Sequence, residues 1–233
     1  MDIGRRGLVL GGGGVTGVAW ETGLLWGLAE TGLDLSAADL IVGTSAGSTV
    51  AAQITSGAGL DELFEAQLRD ASGEIAARMS PAALLRFLAA AAWPGDRQRA
   101  RSWLGRAALR AETVPEAERR AVIEQRLPSH DWPRQRLFIP AVDAETGAVS
   151  VFDNDGGVPL VDAVAASCAV PLVWPPVTIN GRRYVDGGVR SATNVDLAAN
   201  CERLVVIAPR RRPHGVPTVP RHRRRRSAGK SAR

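Results

Sequence analysis

The segment Gly43-Thr44-Ser45-Ala46-Gly47 has the GxSxG spacing that presents a serine hydroxyl on a sharp turn. It joins a short apolar run, Leu40–Gly43, to the small apolar residues of Ala46–Ile54, so we expect a strand, a turn and a helix. Flanking glycines allow close backbone approach, and the helix N-terminus favours negative charge near Ser45. The spacing predicts Ser45 as a nucleophile; the alternative is a glycine-rich turn whose serine only caps a helix.

A second glycine-rich segment, Gly11–Gly17 (GGGGVTG), directly follows the first apolar run. Consecutive glycines can direct several backbone N–H groups at one point, as a tetrahedral oxyanion requires. The same segment also satisfies the dinucleotide-binding spacing GxGxxG through Gly12, Gly14 and Gly17, with Asp34 placed where a ribose-binding acid could lie. The loop alone leaves both an oxyanion hole and a pyrophosphate site open.

The third candidate is Asp186, which is followed by Gly187 and Gly188. It comes just after a hairpin signal, because Asn180-Gly181 between two apolar runs supplies the positive φ angles of a two-residue turn. A carboxylate at a strand end, followed by two glycines, has little steric cover and could reach a neighbouring loop. The alternative is an ordinary Asp-Gly turn.

The elements around these motifs indicate an α/β fold. Gly7–Gly11 is predicted to be a strand, and Trp20–Glu30 has the apolar spacing of a helix. The strand and helix predicted around Ser45 repeat this strand–helix order. Two successive βα units favour a parallel sheet covered by helices. Leu60–Arg126 is predicted to be helical, with Ser80-Pro81 as a helix start, and further strands are predicted at Leu137–Val142, Ala148–Phe152 and, as a last buried strand, Leu204–Ala208.

The segment Ser80–Trp93 (SPAALLRFLAAAAW) is apolar on a broad helical face. Such a stripe is typical of a helix packed in the core, and we favour that interpretation. The alternative is a lid or an interfacial helix that contacts a bilayer.

Composition predicts one domain and a basic tail. The 233 residues carry a net charge of +5, but residues 210–233 contain ten Arg and Lys and no acid, so the 29 basic residues fall to 19 against 24 acidic ones before that point. We predict a single domain over residues 1–209 and disorder in residues 210–233, whose charge could attract anionic lipid or nucleic acid without specificity. No specific nucleic-acid partner is expected, and nothing indicates the oligomeric state.

Cys168 and Cys201 are isolated, without metal-ligand spacing or a disulfide framework. No signal segment and no run of about 18 apolar residues is found. We therefore expect a cytoplasmic protein without a bound metal, and contact with a membrane surface remains open.

Taken together, the motifs resemble the patatin-like phospholipase family. The glycine loop, GTSAG, the run Ala166–Pro171 (ASCAVP) continuing through Pro175-Pro176-Val177, and Tyr184–Gly188 (YVDGG) occur in the family's order. The resemblance spans Gly7 to Pro209 and is weakest between Leu60 and Leu137.

The resemblance implies a three-layer αβα fold with a mostly parallel sheet and a serine–aspartate dyad. Ser45 would be the nucleophile, Asp186 the general base, and the amides of Gly12, Gly13 and Gly14 the oxyanion hole, while Gly17, Gly43, Gly47, Gly187 and Gly188 complete the motifs. The implied substrates are glycerolipids and other fatty acyl esters, cleaved without a cofactor. The sequence departs from the family at Thr16, where an Arg or Lys is usual, and after Pro209, where further packed structure is usual.

The histidines agree with a dyad. His214 and His222 lie in the basic tail, so a Ser-Asp-His triad would have to recruit His214, and His130 is expected at the surface. Two other functions remain open: a nucleotide-binding protein that uses the glycine loop, and an inactive relative that serves as a membrane-associated scaffold.

Overall fold

A computed structural model of the protein describes residues 4–69 and 79–209. Residues 210–233, predicted to form a disordered basic tail, lie outside the described residues. The helices and strands in chain order are β1 (Arg6–Leu10), α1 (Gly14–Glu30), β2 (Leu40–Gly43), α2 (Ala46–Ile54), α3 (Leu60–Leu68), α4 (Pro81–Ala91), α5 (Arg97–Ala108), α6 (Glu116–Arg126), β3 (Arg136–Asp143), β4 (Val149–Phe152), α7 (Leu160–Ser167), β5 (Val177–Ile179), β6 (Arg182–Asp186) and β7 (Arg203–Ile207).

The two predicted βα units are present, and their strands lie side by side. β1 pairs in parallel with β2, with Gly7 opposite Leu40 and Leu10 opposite Gly43. Helix α1 begins at Gly14, earlier than the apolar spacing from Trp20 indicates, because the end of the glycine loop already forms its first turn. The glycine loop and the serine turn therefore leave the sheet at the same edge, the carboxyl ends of β1 and β2.

The sheet has the order β5-β6-β3-β2-β1-β7, with β4 paired to β3. The strands β7, β1, β2 and β3 are parallel neighbours. The pairs β3–β4, β3–β6 and β5–β6 are antiparallel. The expected α/β class with a mostly parallel central sheet is confirmed.

Both faces of the central strands are buried, which explains why they read as continuous apolar runs. In β1, Leu8 and Leu10 pack in the larger core with Ile41 of β2, whereas Val9 packs on the opposite face with Ala198. Helices α1, α2 and α7 contribute to the larger core. Helix α5 and a short 3₁₀ turn at Val195–Ala198 cover the other face. Helical segments therefore lie on both sides of the sheet.

The local turn signals correspond to the observed turns. Asn180 and Gly181 have φ angles of 49° and 75° between β5 and β6, as a type I′ hairpin requires. The β3–β4 turn is held by the Asp143 carboxylate, which accepts hydrogen bonds from the N–H groups of Glu145 and Thr146. At the start of α4, the Ser80 hydroxyl accepts from the Ala83 N–H, and Pro81 occupies the first turn.

Two burial predictions are wrong. Helix α4 is not a core helix: Leu84, Leu85 and Leu88 are 50%, 67% and 58% exposed. The last strand, β7, is not buried either, because it is an edge strand paired with β1 in the part of the chain that the structure describes. Its apolar residues Leu204–Val206 are therefore exposed. Apolar spacing identifies a helix or strand but not whether other structure covers it.

Candidate active site

The turn after β2 holds Ser45 in a strained backbone conformation. Its φ is 52° and ψ is −118°, a combination uncommon for a residue with a side chain, and it stands at the N-terminus of α2. A Cβ on Gly43 would lie 2.5 Å from the Gly47 carbonyl oxygen, and one on Gly47 would overlap the Leu10 carbonyl. Both glycines of GxSxG are therefore required by close packing, as in a nucleophile elbow.

The backbone of Ser45 is fixed by hydrogen bonds to residues at the end of α7 and in the first turn of α2. Its N–H donates to the Ser167 hydroxyl at 3.0 Å, and that hydroxyl donates in turn to the Pro140 carbonyl at 2.7 Å. Its carbonyl accepts from the Ser48 hydroxyl at 2.7 Å and from the Cys168 thiol at 3.2 Å. These bonds can balance the strain at Ser45, because the surrounding structure dictates the conformation.

The glycine loop packs directly against the serine turn. A Cβ on Gly12 would lie 3.4 Å from the Ser45 Cβ, so the two segments are in contact. The Gly12 N–H donates to the Ala192 carbonyl at 2.8 Å. Among the described residues, the N–H groups of Gly13 and Gly14 have no hydrogen-bond acceptor. The oxyanion hole predicted at Gly12, Gly13 and Gly14 stays a prediction. In this conformation the Gly12 amide is already bonded, and the amides of Gly13 and Gly14 are the available ones.

Asp186 ends β6 and is oriented by both glycines that follow it. The Gly188 N–H donates to Asp186 Oδ1 at 2.6 Å, and the Asp186 N–H donates to the Ala169 carbonyl at 2.9 Å. A Cβ on Gly187 would overlap the Pro140 carbonyl, and one on Gly188 would lie 2.8 Å from Asp186 Oδ1. The two glycines let this turn pack against β3 and bring an amide to the carboxylate.

Asn194, which the sequence did not single out, connects the turns that carry Ser45 and Asp186. It is fully buried, and its amide nitrogen lies 3.1 Å from Thr44 Oγ1, 3.3 Å from the Gly187 carbonyl and 2.9 Å from the Ser191 carbonyl. Thr44 precedes Ser45 and Gly187 follows Asp186, so one side chain fixes the spacing of the two turns. No local pattern marks a lone asparagine for this role.

The serine turn, the glycine loop and the turn after β6 border one cavity of about 920 Å³. Its wall includes all five residues predicted for the dyad and the oxyanion hole, which are Ser45, Asp186, Gly12, Gly13 and Gly14. Apolar side chains from α4, α5 and the Val170–Trp174 segment form much of the remainder, among them Leu84, Leu88, Leu104, Val173 and Trp174. A second cavity, of about 970 Å³ beside Trp93 and Trp103, contains no residue of the three motifs.

Glu21 of α1 lies beneath the glycine loop. It has no exposed surface, and its Oε1 accepts from the Gly11 N–H at 2.9 Å. Within the described part of the chain, Oε2 has no hydrogen-bond partner. Burial raises the pKa of Glu21 from 4.5 to about 8, and the hydrogen bond from Gly11 opposes the rise only in part. The side chain is therefore an uncharged carboxylic acid at neutral pH.

Several residues that the sequence offered as candidates for a functional role lie away from this cavity. Asp34 precedes β2, and the nearby Ala37 and Asp39 accept hydrogen bonds from Arg6 at the start of β1. Asp34 therefore lies at the amino ends of these strands, whereas the glycine loop follows the carboxyl end of β1. It cannot complete a dinucleotide site. His130 is exposed beside Glu124, and Thr16 is exposed in the first turn of α1. Among residues 4–69 and 79–209, no cluster of His, Cys, Asp or Glu could hold a metal.

The two free cysteines should differ in reactivity. Burial, and secondarily the charge of Asp186, raises the pKa of the Cys168 thiol, whereas Cys201 is partly exposed. Because the thiolate is the reactive form, iodoacetamide at pH 8 is expected to alkylate Cys201 and spare Cys168 in the folded protein. Peptide mapping by mass spectrometry checks this, with urea-unfolded protein as the control in which both react. Alkylation of Cys168 before unfolding would contradict its buried position.

The fold and the cavity define an α/β protein with a nucleophile-elbow turn facing a glycine loop and a carboxylate. The chain belongs to the patatin-like phospholipase family, since the sequence model of that family, Patatin-like phospholipase, matches residues 8–199. Comparison with curated proteins gives no significant match.

The solved structures that are similar to the chain include two bacterial proteins. VipD from Legionella pneumophila shares 14% identity and a TM-score of 0.46 over 79% of this chain and 46% of its own. The type III effector protein ExoU shares 16% identity and a TM-score of 0.34 over 75% of this chain and 44% of its own. The chain thus spans less than half the length of either protein. No helix among the described residues is long and apolar enough to cross a bilayer.

Proposed function

We propose that the protein is a lipid acyl hydrolase that cleaves fatty acyl esters through a dyad of Ser45 and Asp186. The observation that supports this proposal is the single cavity that both side chains line together with Gly12, Gly13 and Gly14. The strained backbone of Ser45 and the oriented carboxylate of Asp186 are features expected of reacting groups. The apolar part of the wall is suited to an acyl chain.

In the proposed reaction, Asp186 accepts the hydroxyl proton of Ser45 as Oγ attacks the ester carbonyl carbon. The resulting oxyanion accepts hydrogen bonds from the Gly13 and Gly14 amides, and Gly12 provides the close approach of the loop to Ser45. The intermediate collapses, and the alcohol leaves with the proton from Asp186. Water then attacks the acyl-enzyme while giving its proton to Asp186, and that proton returns to Ser45 as the fatty acid is released.

Labelling with a fluorophosphonate tests the nucleophile. We expect one adduct per chain, mapped to Ser45 by mass spectrometry, and hydrolysis of a short-chain nitrophenyl ester by the unlabelled protein. Ser45→Ala should abolish both, whereas Ser129→Ala, away from the cavity, should retain both. Folded wild-type protein that takes no label and cleaves no ester, yet binds liposomes, would instead support the inactive scaffold.

Contact with a membrane surface is the second part of the proposal, and α4 is the element that supports it. Leu84 and Leu88 line the cavity although they are half exposed, and Leu85 is 67% exposed beside them. An apolar helix at a cavity entrance can enter the boundary of a lipid bilayer and bring the entrance to the substrate.

Leu85→Ser is expected to lower the hydrolysis rate on phospholipid vesicles several-fold, because it removes apolar area that would insert. The rate on a dissolved nitrophenyl ester should change little. Leu33→Ser is the matched control, since Leu33 is 50% exposed between α1 and β2, at the edge of the sheet opposite the cavity. Equal losses on both substrates, or equal losses in both variants, would argue against α4 as the contact surface.

A further inference from the structure

The cavity of about 970 Å³ lies outside the catalytic site. Its walls come from α4, α5, the segment that joins them, and the turn between β3 and β4. The volume is at the upper end of the range for small-molecule sites in proteins. Among the described residues, none lines both cavities, although α5 contributes side chains to each. A ligand in this second cavity would therefore contact side chains that the proposed reaction does not use.

Two tryptophans line the second cavity and contact each other. Trp93 precedes α5 and Trp103 lies within it, and their ring centroids are 5.6 Å apart with the planes tilted by 40°. Trp103 remains 38% exposed, and neither indole N–H donates a hydrogen bond within the described part of the chain. The pair therefore keeps aromatic surface and two N–H donors for a flat ligand.

Arginines line the same cavity beside the tryptophans. On α5 and just past its end, three arginines and one tryptophan recur at spacings of four, three and four residues: Arg99, Trp103, Arg106 and Arg110. Residues at these spacings project along one face of a helix. Arg86 of α4 lines the same cavity.

Two of these four guanidinium groups have partners in the protein. Arg99 forms an ion pair with Asp96 at 3.6 Å, so their charges largely cancel. Arg106 donates through Nε to the Glu145 carbonyl at 3.1 Å, and its two terminal nitrogens remain as donors. The Glu145 bond is to a neutral oxygen, so Arg106 keeps its full charge.

The second cavity carries an excess of positive charge. Neither Arg86 nor Arg110 has a side-chain hydrogen bond or ion pair among residues 4–69 and 79–209. With Arg106 they make three guanidinium groups without an ion-pair partner, and the Glu145 carboxylate offsets only one of them. Unpaired guanidinium groups beside uncovered indole rings suit an anion that is joined to a flat ring.

We propose that the second cavity binds a free nucleoside phosphate, with the base against the tryptophans and the phosphate among Arg86, Arg106 and Arg110. Bases stack on aromatic side chains, and guanidinium groups bind phosphate through paired N–H donors. A long nucleic-acid strand fits less well, because residues 1–209 carry 19 basic against 24 acidic side chains and would repel a polyanion beyond the cavity. This binding does not depend on the proposed ester hydrolysis.

Calorimetry with ADP as the probe, and with adenosine and inorganic pyrophosphate as its two halves, tests the site. We expect ADP to bind with a Kd below about 1 mM and each half to bind about tenfold more weakly or less. Ser45→Ala should bind ADP as the wild type does, since the catalytic cavity takes no part. A Kd for ADP above about 1 mM, or equal affinity for ADP and either half, would overturn the proposal.

Substitutions on the wall locate the binding. Trp103→Leu is expected to weaken ADP binding about tenfold through lost stacking, with pyrophosphate binding unchanged. Arg110→Gln should weaken both ligands several-fold, and thermal melting verifies that each variant is folded. The matched controls are Trp20→Leu and Arg5→Gln, which change exposed residues outside this cavity and should bind both ligands as the wild type does.

Equal losses in the wall variants and in their controls would contradict binding in the second cavity. A single-stranded oligonucleotide that binds far more tightly than ADP, and loses affinity in the same wall variants, would overturn the free nucleotide as the occupant. Ester hydrolysis by the wild-type protein is measured separately, so failure of the nucleotide site leaves the proposed reaction standing.

Discussion

Asp186→Asn is expected to lower kcat for ester hydrolysis by about a thousandfold, in the range that loss of a general base produces. An asparagine amide cannot accept the proton of Ser45, so the hydroxyl remains a weak nucleophile. The fold should persist, because the new side chain has nearly the same shape and its oxygen can still accept from the Gly188 N–H, which bonds to Oδ1 at 2.6 Å.

Steady-state kinetics on a nitrophenyl ester, combined with circular dichroism, measures this effect. Asp155→Asn is the control, since Asp155 is exposed and outside the cavity wall, and its activity should equal that of the wild type. If Asp186→Asn keeps more than about a tenth of the activity, another group removes the proton and the dyad is wrong.

Glu21 is expected to make stability fall as pH rises. Its pKa is about 8 in the folded protein and 4.5 when the side chain is solvated, so between these values unfolding releases a proton. Stability therefore decreases by about 1.4 kcal/mol per pH unit over this window, or about 5 kcal/mol in total. Below pH 4.5 the contribution is fully present, and above pH 8 it has been lost.

Glu21→Gln isolates this effect, because glutamine can still accept the Gly11 hydrogen bond but does not ionise. Urea unfolding at pH 5, 6, 7 and 8 should show the variant gaining stability relative to wild type by several kcal/mol across the series. All other titrating groups are common to both proteins and cancel in the difference. Two curves that stay parallel from pH 5 to pH 8 would mean that the folded protein holds Glu21 ionised throughout.

The parts that the sequence predicts correctly depend on contacts between near neighbours. The hairpin at Asn180-Gly181 is set by the φ angles of two residues, and the serine turn by glycines that allow close packing. The parallel sheet follows from the order of strands and helices along the chain. Because local rules govern these features, one sequence is sufficient to predict them.

The residues that complete the site are brought together over long separations. Ser45 bonds to Ser167, which is 122 positions away, and Thr44 to Asn194, 150 positions away. Glu21 has the appearance of a polar residue on an amphipathic helix, yet it faces the glycine loop. Nothing local distinguishes these side chains from surface ones, so the sequence could not assign them.

The leucines of α4 also could not be placed from the sequence, but here residues predicted to be buried are exposed. Their spacing is that of a core helix, and only the three-dimensional arrangement places them at the entrance of the cavity. The engagement of the Gly12 amide by Ala192 is likewise a contact across 180 positions. This hydrogen bond uses the Gly12 amide to fix the loop, whereas the Gly13 and Gly14 amides remain available as donors.

A crystal structure of the covalent adduct with a fluorophosphonate tests whether Ser45, Asp186 and the glycine loop form one active site. We expect phosphorus bonded to Ser45 Oγ, a phosphonyl oxygen about 3 Å from the amide nitrogens of Gly13 and Gly14, and the Asp186 carboxylate beside the new bond. An adduct on another residue, or an oxygen directed away from the glycine loop with Asp186 out of reach, would contradict it.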